Sequence, residues 1–79
     1  MTAEELRSTV ERLLKEKHEV ASIRWALQDF AKAGGTKEQA YEVLTEMRKA
    51  VAGEEDDDRL LDALDYVTGF CHPLERIWR

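Results

Sequence analysis

Residues 31–44 read AKAGGTKEQAYEVL, and this stretch marks the end of one helix and the start of another. Gly34 and Gly35 can adopt the left-handed conformation with which many helices end, because glycine has no Cβ. Thr36 and Gln39 have the spacing of a capping box, which predicts a new helix beginning directly after the glycines. The apolar residues that then recur at helical spacing are Ala40, Val43, Leu44, Met47 and Val51.

Two helices are predicted before the glycines, and the second of them is the helix that ends there. The first begins with another capping box, formed by Thr2 and Glu5. Its apolar stripe is Leu6, Val10, Leu13 and Leu14. The pattern pauses between Lys15 and Glu19, where a short break is favoured over one continuous bent helix. The stripe of the second helix is Val20, Ile23, Leu27, Phe30 and Ala31.

A fourth helix is predicted after Gly53, from about residue 54 to residue 70. Its first turn is acidic, which suits the positive end of the helix macrodipole. The predicted buried stripe is Leu60, Leu61, Leu64 and Val67. Gly69 can end the helix, and Pro73 prevents simple continuation because it lacks a backbone donor. The apolar residues beyond it are Leu74, Ile77 and Trp78, and they should pack back on the helices.

The expected fold is therefore all-α: a compact four-helix bundle in a single domain, residues 1–79, with the C-terminal tail (residues 71–79) packed back on it. The composition, 43% hydrophobic and 37% charged, is typical of amphipathic helices. No apolar run approaches the roughly 18 residues of a membrane span, and the N-terminus lacks the features of a signal peptide. With one cysteine and no internal disulfide, a cytoplasmic location and no membrane partner are expected.

The charge of the chain is distributed unevenly. The net charge is −5, and residues 54–70 hold seven acidic side chains against Arg59 alone, whereas the preceding residues are balanced. A concentrated negative field repels nucleic acid and attracts basic partners. The expected partner is consequently a protein with a basic surface, and nucleic acid is not expected to bind.

Catalytic and metal-binding motifs are not evident. Cys71, His72 and His18 have no recognised metal-ligand spacing, and Cys71 is expected to be a small buried residue. Gly34 and Gly35 are not followed by the Lys-Ser/Thr of a phosphate-binding loop. We therefore predict that the chain is not an enzyme and uses no metal, no cofactor and no small-molecule substrate.

The second and third helices also have the outline of a helix-turn-helix. A helix that reads DNA should carry basic and amide side chains near its start, whereas the third helix offers a mostly acidic set there: Lys37, Glu38, Gln39, Glu42 and Glu46. The same stretch, with residues 38–44 reading EQAYEVL, resembles two helices of a ubiquitin-associated domain. The Met-Gly-Phe/Tyr loop through which that family binds is absent from this sequence.

The sharper functional prediction concerns the outward face of the fourth helix. Asp58, Asp62 and Asp65 recur at i, i+4 and i+7, where like charges destabilise a helix by ~0.2–0.5 kcal/mol per pair. Folding alone does not explain them, although a solvated face that aids solubility is the plain alternative. Tyr66 could add an aromatic anchor. Trp25 lies outside the stripe of its helix and either meets the tail, which is favoured, or is exposed to a partner.

The C-terminal half resembles the small helical immunity proteins that bacteria use against secreted toxins. The resemblance rests on the acidic residues 56–65 followed by a distinctive set of residues: Tyr66, Gly69, Cys71, Pro73, Ile77 and Trp78. The tyrosine-rich motif of the colicin nuclease immunity proteins is missing. The resemblance implies an inhibitor that covers a basic, nuclease-like toxin. The contact would be formed by Asp58, Asp62, Asp65 and Tyr66, with rim charges from Glu54, Glu55, Asp56 and Asp57.

Two other functions fit the same sequence. One is a small regulatory or adaptor domain, helix-turn-helix-like or dimeric through Trp25 and the tail. The other is an anti-defence inhibitor encoded by a phage, which would use the same acidic face.

Overall fold

Four helices make up most of the chain. The computed structural model describes residues 1–17, 19–51, 53–69 and 77–78, and this part of the chain contains no strand. The helices are α1 (Ala3–Lys15), α2 (Val20–Lys32), α3 (Lys37–Ala50) and α4 (Glu54–Thr68). The predicted all-α four-helix architecture is confirmed.

The helix boundaries follow the local signals. The backbone amide of Thr2 donates to the Glu5 carboxylate at 3.1 Å, and the backbone amide of Glu5 donates to the Thr2 hydroxyl at 3.2 Å. Thr36 and Gln39 make the same reciprocal pair of hydrogen bonds at the same distances. The predicted break between α1 and α2 is confirmed, with Lys17 in the left-handed region at φ 57°. Helix α4 ends at Thr68, because Gly69 adopts the predicted left-handed conformation at φ 89°, so the helix is slightly shorter than the predicted limit near residue 70.

Each helix buries one face in a common core. Helix α1 packs chiefly against α2 and α3, and α4 packs chiefly against α3 and α2, so α1 and α4 lie diagonally across the bundle. The buried core residues are Leu6, Val10, Leu14, Ile23, Ala26, Leu27, Phe30, Ala40, Leu44, Met47, Leu60, Ala63, Leu64 and Val67. Partly buried apolar residues at the edge of this core include Leu13, Val43 and Val51.

Leu61 is the one apolar residue of the α4 stripe that was predicted wrongly. Its side chain is 39% exposed, and Ala63 is buried instead. The buried residues of α4 follow the i, i+3, i+4, i+7 spacing of a single helical face, beginning at Leu60. Leu61 lies about 100° around the helix from Leu60 and therefore falls at the edge of that face.

The end of the C-terminal tail returns to the bundle, as predicted. Ile77 and Trp78 pack against the core, and the Trp78 ring meets Phe30 edge-on, with centroids 6.4 Å apart at 71°. The Trp78 indole Nε1 donates a hydrogen bond to the Gly35 carbonyl oxygen at 3.2 Å. The predicted roles of Cys71, His72, Pro73 and Leu74 lie outside the described residues.

Trp25 is exposed, so the favoured expectation that it would be buried was wrong. Its side chain is 60% exposed. Of the described tail residues, Trp78 packs beside Phe30, which points into the core, whereas Trp25 lies on the opposite face of α2.

The two glycines between α2 and α3 are required for different reasons. Gly34 adopts φ 95°, a left-handed conformation that strains any residue with a Cβ. Gly35 has an ordinary φ, but a Cβ at this position would overlap the Phe30 ring. The Phe30 ring therefore packs directly on the backbone of the turn.

Replacing Gly35→Ala should lower the free energy of unfolding by roughly 1–3 kcal/mol, because the added methyl must displace Phe30 from its packed position. Urea unfolding followed by circular dichroism measures the change. Gly53→Ser is a suitable control, since a Cβ there meets nothing within 4 Å and serine is favoured at the N-cap position that Gly53 occupies before α4. Equal unfolding midpoints for Gly35→Ala and the parent chain would contradict the proposed role of the Phe30 packing.

Candidate protein-binding surface

The three acids predicted to face outward on α4 do so. Asp58, Asp62 and Asp65 are all exposed, and they form what is called here the acidic face. They extend along about 10 Å of the helix, given the rise of about 1.5 Å per residue. None of the three forms a salt bridge with any residue that the structure describes.

The acids of the first turn of α4 differ, because three of the four are paired within the chain. Arg59 contacts Glu55 at 2.9 Å and Asp56 at 3.5 Å. Arg48 of α3 contacts Asp57 at 2.8 and 3.3 Å, a two-point contact between the guanidinium and the carboxylate. The predicted rim charges are thus partly neutralised before any partner arrives. Glu54 alone makes no ion pair with the described residues.

The Arg48–Asp57 pair links α3 to α4 and changes how both groups titrate. The hydrogen bond from Arg48, aided by its charge, holds the pKa of Asp57 below the ordinary aspartate value. The hydrogen bond to Asp57 likewise raises the pKa of Arg48, with smaller charge interactions from Asp57 and Tyr41. Both side chains are about a third exposed, so the solvent screens part of this attraction.

Acidic pH should remove the stabilisation contributed by Arg48–Asp57. Because the pKa of Asp57 is lower in the folded chain than in the unfolded chain, the contribution is present above about pH 4 and is lost as the pH falls through the folded value. The difference in melting temperature between the parent chain and Asp57→Asn should therefore shrink between about pH 7 and about pH 2.

Asp58→Asn is the matched control for that experiment, because Asp58 is a neighbouring exposed aspartate with no ion-pair partner among residues the structure describes. The difference in melting temperature between Asp58→Asn and the parent chain should vary less with pH. If the melting temperature of Asp57→Asn differs from that of the parent chain by the same amount at every pH, the Arg48–Asp57 pair does not stabilise the fold.

Tyr66 is less available to a partner than its sequence position suggests. It is half-buried at the α2–α4 contact, and the Arg24 guanidinium carbon lies 5.8 Å from the centroid of its ring. This distance is typical of a cation–π interaction. The role of Tyr66 as an aromatic anchor stays a prediction, and a partner would meet the ring together with Arg24.

Trp25 is exposed on the outer side of α2, next in sequence to Arg24. The buried residues of this helix, among them Ile23 and Ala26, point the other way. Arg24 contacts Tyr66, so this part of α2 lies beside α4, which carries the acidic face. Trp25 therefore belongs to the neighbouring helix and not to the acidic face itself. The structure thus places Asp58, Asp62 and Asp65 together, with Tyr66 at their edge and Trp25 on the adjacent helix.

Two exposed apolar residues were not predicted to belong to a binding surface. Tyr41 of α3 is 50% exposed and Leu61 of α4 is 39% exposed. The position of Tyr41 could have been read from the sequence, since it falls outside the stripe that includes Ala40 and Leu44. The exposure of Leu61 could not, because four leucine or alanine residues between positions 60 and 64 compete for one face and only three of them are buried there.

Within the ranges described above, no group of His, Cys, Asp and Glu is arranged to hold a metal ion. His18, Cys71 and His72 lie outside those ranges. No helix in the described part of the chain combines the length and the apolar character needed to cross a bilayer.

Comparison of the chain with protein families, with curated proteins and with solved structures gives no match. The resemblance to immunity proteins accordingly stays a prediction, and the functional argument rests on the geometry of the surface.

Proposed function

We propose that the chain is a non-enzymatic, protein-binding inhibitor that covers a basic surface of its partner with the acidic face of α4. The supporting observation is that Asp58, Asp62 and Asp65 are exposed together, without a salt bridge to any described residue. Arg59 of the same helix and Arg48 of α3 pair instead with acids of the first turn. The carboxylates that remain free therefore form one continuous patch.

The stability of the helix gains nothing from this arrangement of like charges. Each like-charge pair at helical spacing opposes helix formation by ~0.2–0.5 kcal/mol. A partner that places lysine or arginine beside these carboxylates would relieve the repulsion and form charge-assisted hydrogen bonds. The acidic face is thus better suited to a basic partner than to free solvent.

The inhibition would act by charge and by steric exclusion, with no bond made or broken. A negative field speeds the approach of a positive surface, and this effect weakens as salt is added. Once bound, α4 would occupy the basic surface on which the partner holds its own anionic substrate. A toxin that degrades nucleic acid has such a surface, so an immunity protein against a nuclease-like bacterial toxin is the leading assignment. A phage-encoded inhibitor of a host defence enzyme would work in the same way.

A second function, a dimeric regulatory or adaptor domain, is favoured only by Trp25. An indole that is 60% exposed is a common feature of protein interfaces. Trp78 cannot join it in a dimer contact without leaving Phe30, against which it packs. The mass of the protein in solution, measured by light scattering, separates the two functions: a stable dimer that dissociates in Trp25→Ser supports the adaptor.

Reversing two charges of the acidic face should abolish tight binding. Asp62→Lys combined with Asp65→Lys replaces two attractive contacts with repulsive ones, and we expect an affinity at least about 100-fold weaker. The helical circular dichroism and the melting temperature should hardly change, because both side chains are exposed and unpaired with described residues. The measurement is affinity capture from the source cell, followed by titration calorimetry with the retained protein.

The control is Glu42→Lys with Glu46→Lys, which changes the net charge equally on the exposed side of α3 that adjoins α1. The control variant should bind like the parent chain. Loss of binding in both variants would indicate a general effect of net charge, and equal binding by all three proteins would reject the acidic face. Recovery of nucleic acid alone would reject the proposed function.

A further inference from the structure

Two of the large apolar side chains that the structure leaves exposed lie along the contact between α3 and α4. These are Tyr41, 50% exposed, and Leu61, 39% exposed. The two helices are joined by the short connection 51–53, and connections of this length link antiparallel neighbours. We call the surface along this contact the α3–α4 seam.

The Arg48–Asp57 pair sets the register of the seam. Tyr41 lies seven residues before Arg48, two turns away on the same side of α3. Leu61 lies four residues after Asp57, one turn along the same side of α4. Since the helices run in opposite directions, both residues lie on the same side of the ion pair, about 4–5 Å apart along the bundle. Tyr41 is also close enough to interact electrostatically with Arg48.

Acidic side chains border the seam on its α4 edge. Asp58 and Asp65 lie three residues before and four residues after Leu61, so both flank it on the helix surface. Both are exposed and form no salt bridge with a described residue. On the α3 edge, the charge of Arg48 is already engaged by Asp57 at 2.8 Å. The seam thus combines an apolar centre with a negative edge.

We propose that the α3–α4 seam binds a basic amphipathic helix of the partner protein. This inference rests on the proposed function and specifies which part of the partner the acidic face recognises. An amphipathic helix binds another protein by laying its apolar stripe on an apolar surface of that protein. Here the stripe would cover Tyr41 and Leu61. Lysine or arginine residues seven positions apart on its flank would match the two-turn separation of Asp58 and Asp65.

A basic surface without apolar groups would make no apolar contact with Tyr41 and Leu61. Attraction to Asp58 and Asp65 needs no leucine between them, and an exposed leucine adds only unfavourable contact with water. Because Leu61 lies between two carboxylates that have no salt bridge to a described residue, its apolar contact would favour an amphipathic helix over a uniformly charged segment. The α3–α4 seam therefore predicts specificity as well as attraction.

Two synthetic peptides of identical composition test the inference. Each has 18 residues of lysine, leucine and alanine (a length of about five helical turns). In the first peptide the leucines share one helical face, and in the second their order is scrambled so that they do not. Fluorescence anisotropy of the labelled peptides should show the first binding about tenfold more tightly than the second.

The variant that tests the α3–α4 seam is Leu61→Gln with Tyr41→Gln, which keeps good helix formers at exposed positions. It should bind both peptides with the same, weaker affinity. Trp25→Ser removes the exposed aromatic residue of α2 and should keep the preference for the first peptide. Melting temperatures close to that of the parent chain show that the variants are folded.

The outcomes separate this inference from the proposed function. Equal affinity for both peptides, lost in Asp62→Lys with Asp65→Lys, would overturn the α3–α4 seam while leaving the acidic face as a general basic-protein site. A preference that survives in the Leu61 and Tyr41 variant, or that disappears in Trp25→Ser, would also overturn it. Binding of neither peptide would overturn it as well, and the capture experiment would still decide the proposed function.

Discussion

The packing of Phe30 on the backbone of Gly35 is the contact on which the rest of the bundle depends. It joins the last turn of α2 to the turn that starts α3, and it forms the surface that receives Trp78 from the end of the chain. The Trp78 indole also donates a hydrogen bond to the Gly35 carbonyl oxygen. Phe30, Gly35 and Trp78 thus connect the end of α2 and the adjoining turn to a segment 43 residues further along the chain.

The charges of α4 are divided by the helices around it. Arg48 reaches Asp57 from α3, and Arg59 reaches back to Glu55 and Asp56, so the acids near the start of the helix take part in folding. The acids of the following turns have no such neighbours among the described residues and are left for a partner. A continuous acidic sequence thus becomes two groups with different uses, one that connects helices and one that forms an exposed surface.

The core also determines which apolar residues stay outside it. Because α4 turns Leu60, Ala63, Leu64 and Val67 inward, Leu61 is left at the edge between two free carboxylates. On α3 the same constraint leaves Tyr41 beside the α3–α4 contact. The orientation of α3 and α4 in the core therefore leaves an apolar centre bordered by negative charge. The proposed binding of a basic helix depends on this surface.

The sequence by itself determined the helices, their ends and the exposure of the acidic face. Capping boxes at Thr2 and Thr36 act over three residues, and a left-handed glycine acts at its own position, so these signals do not depend on the rest of the fold. The tertiary structure decided the exposure of Leu61 and Trp25 and the pairing of Arg48 with Asp57. Each depends on the rotation of a helix about its axis and on which helix lies beside it, and only the packing of the whole bundle sets those two quantities.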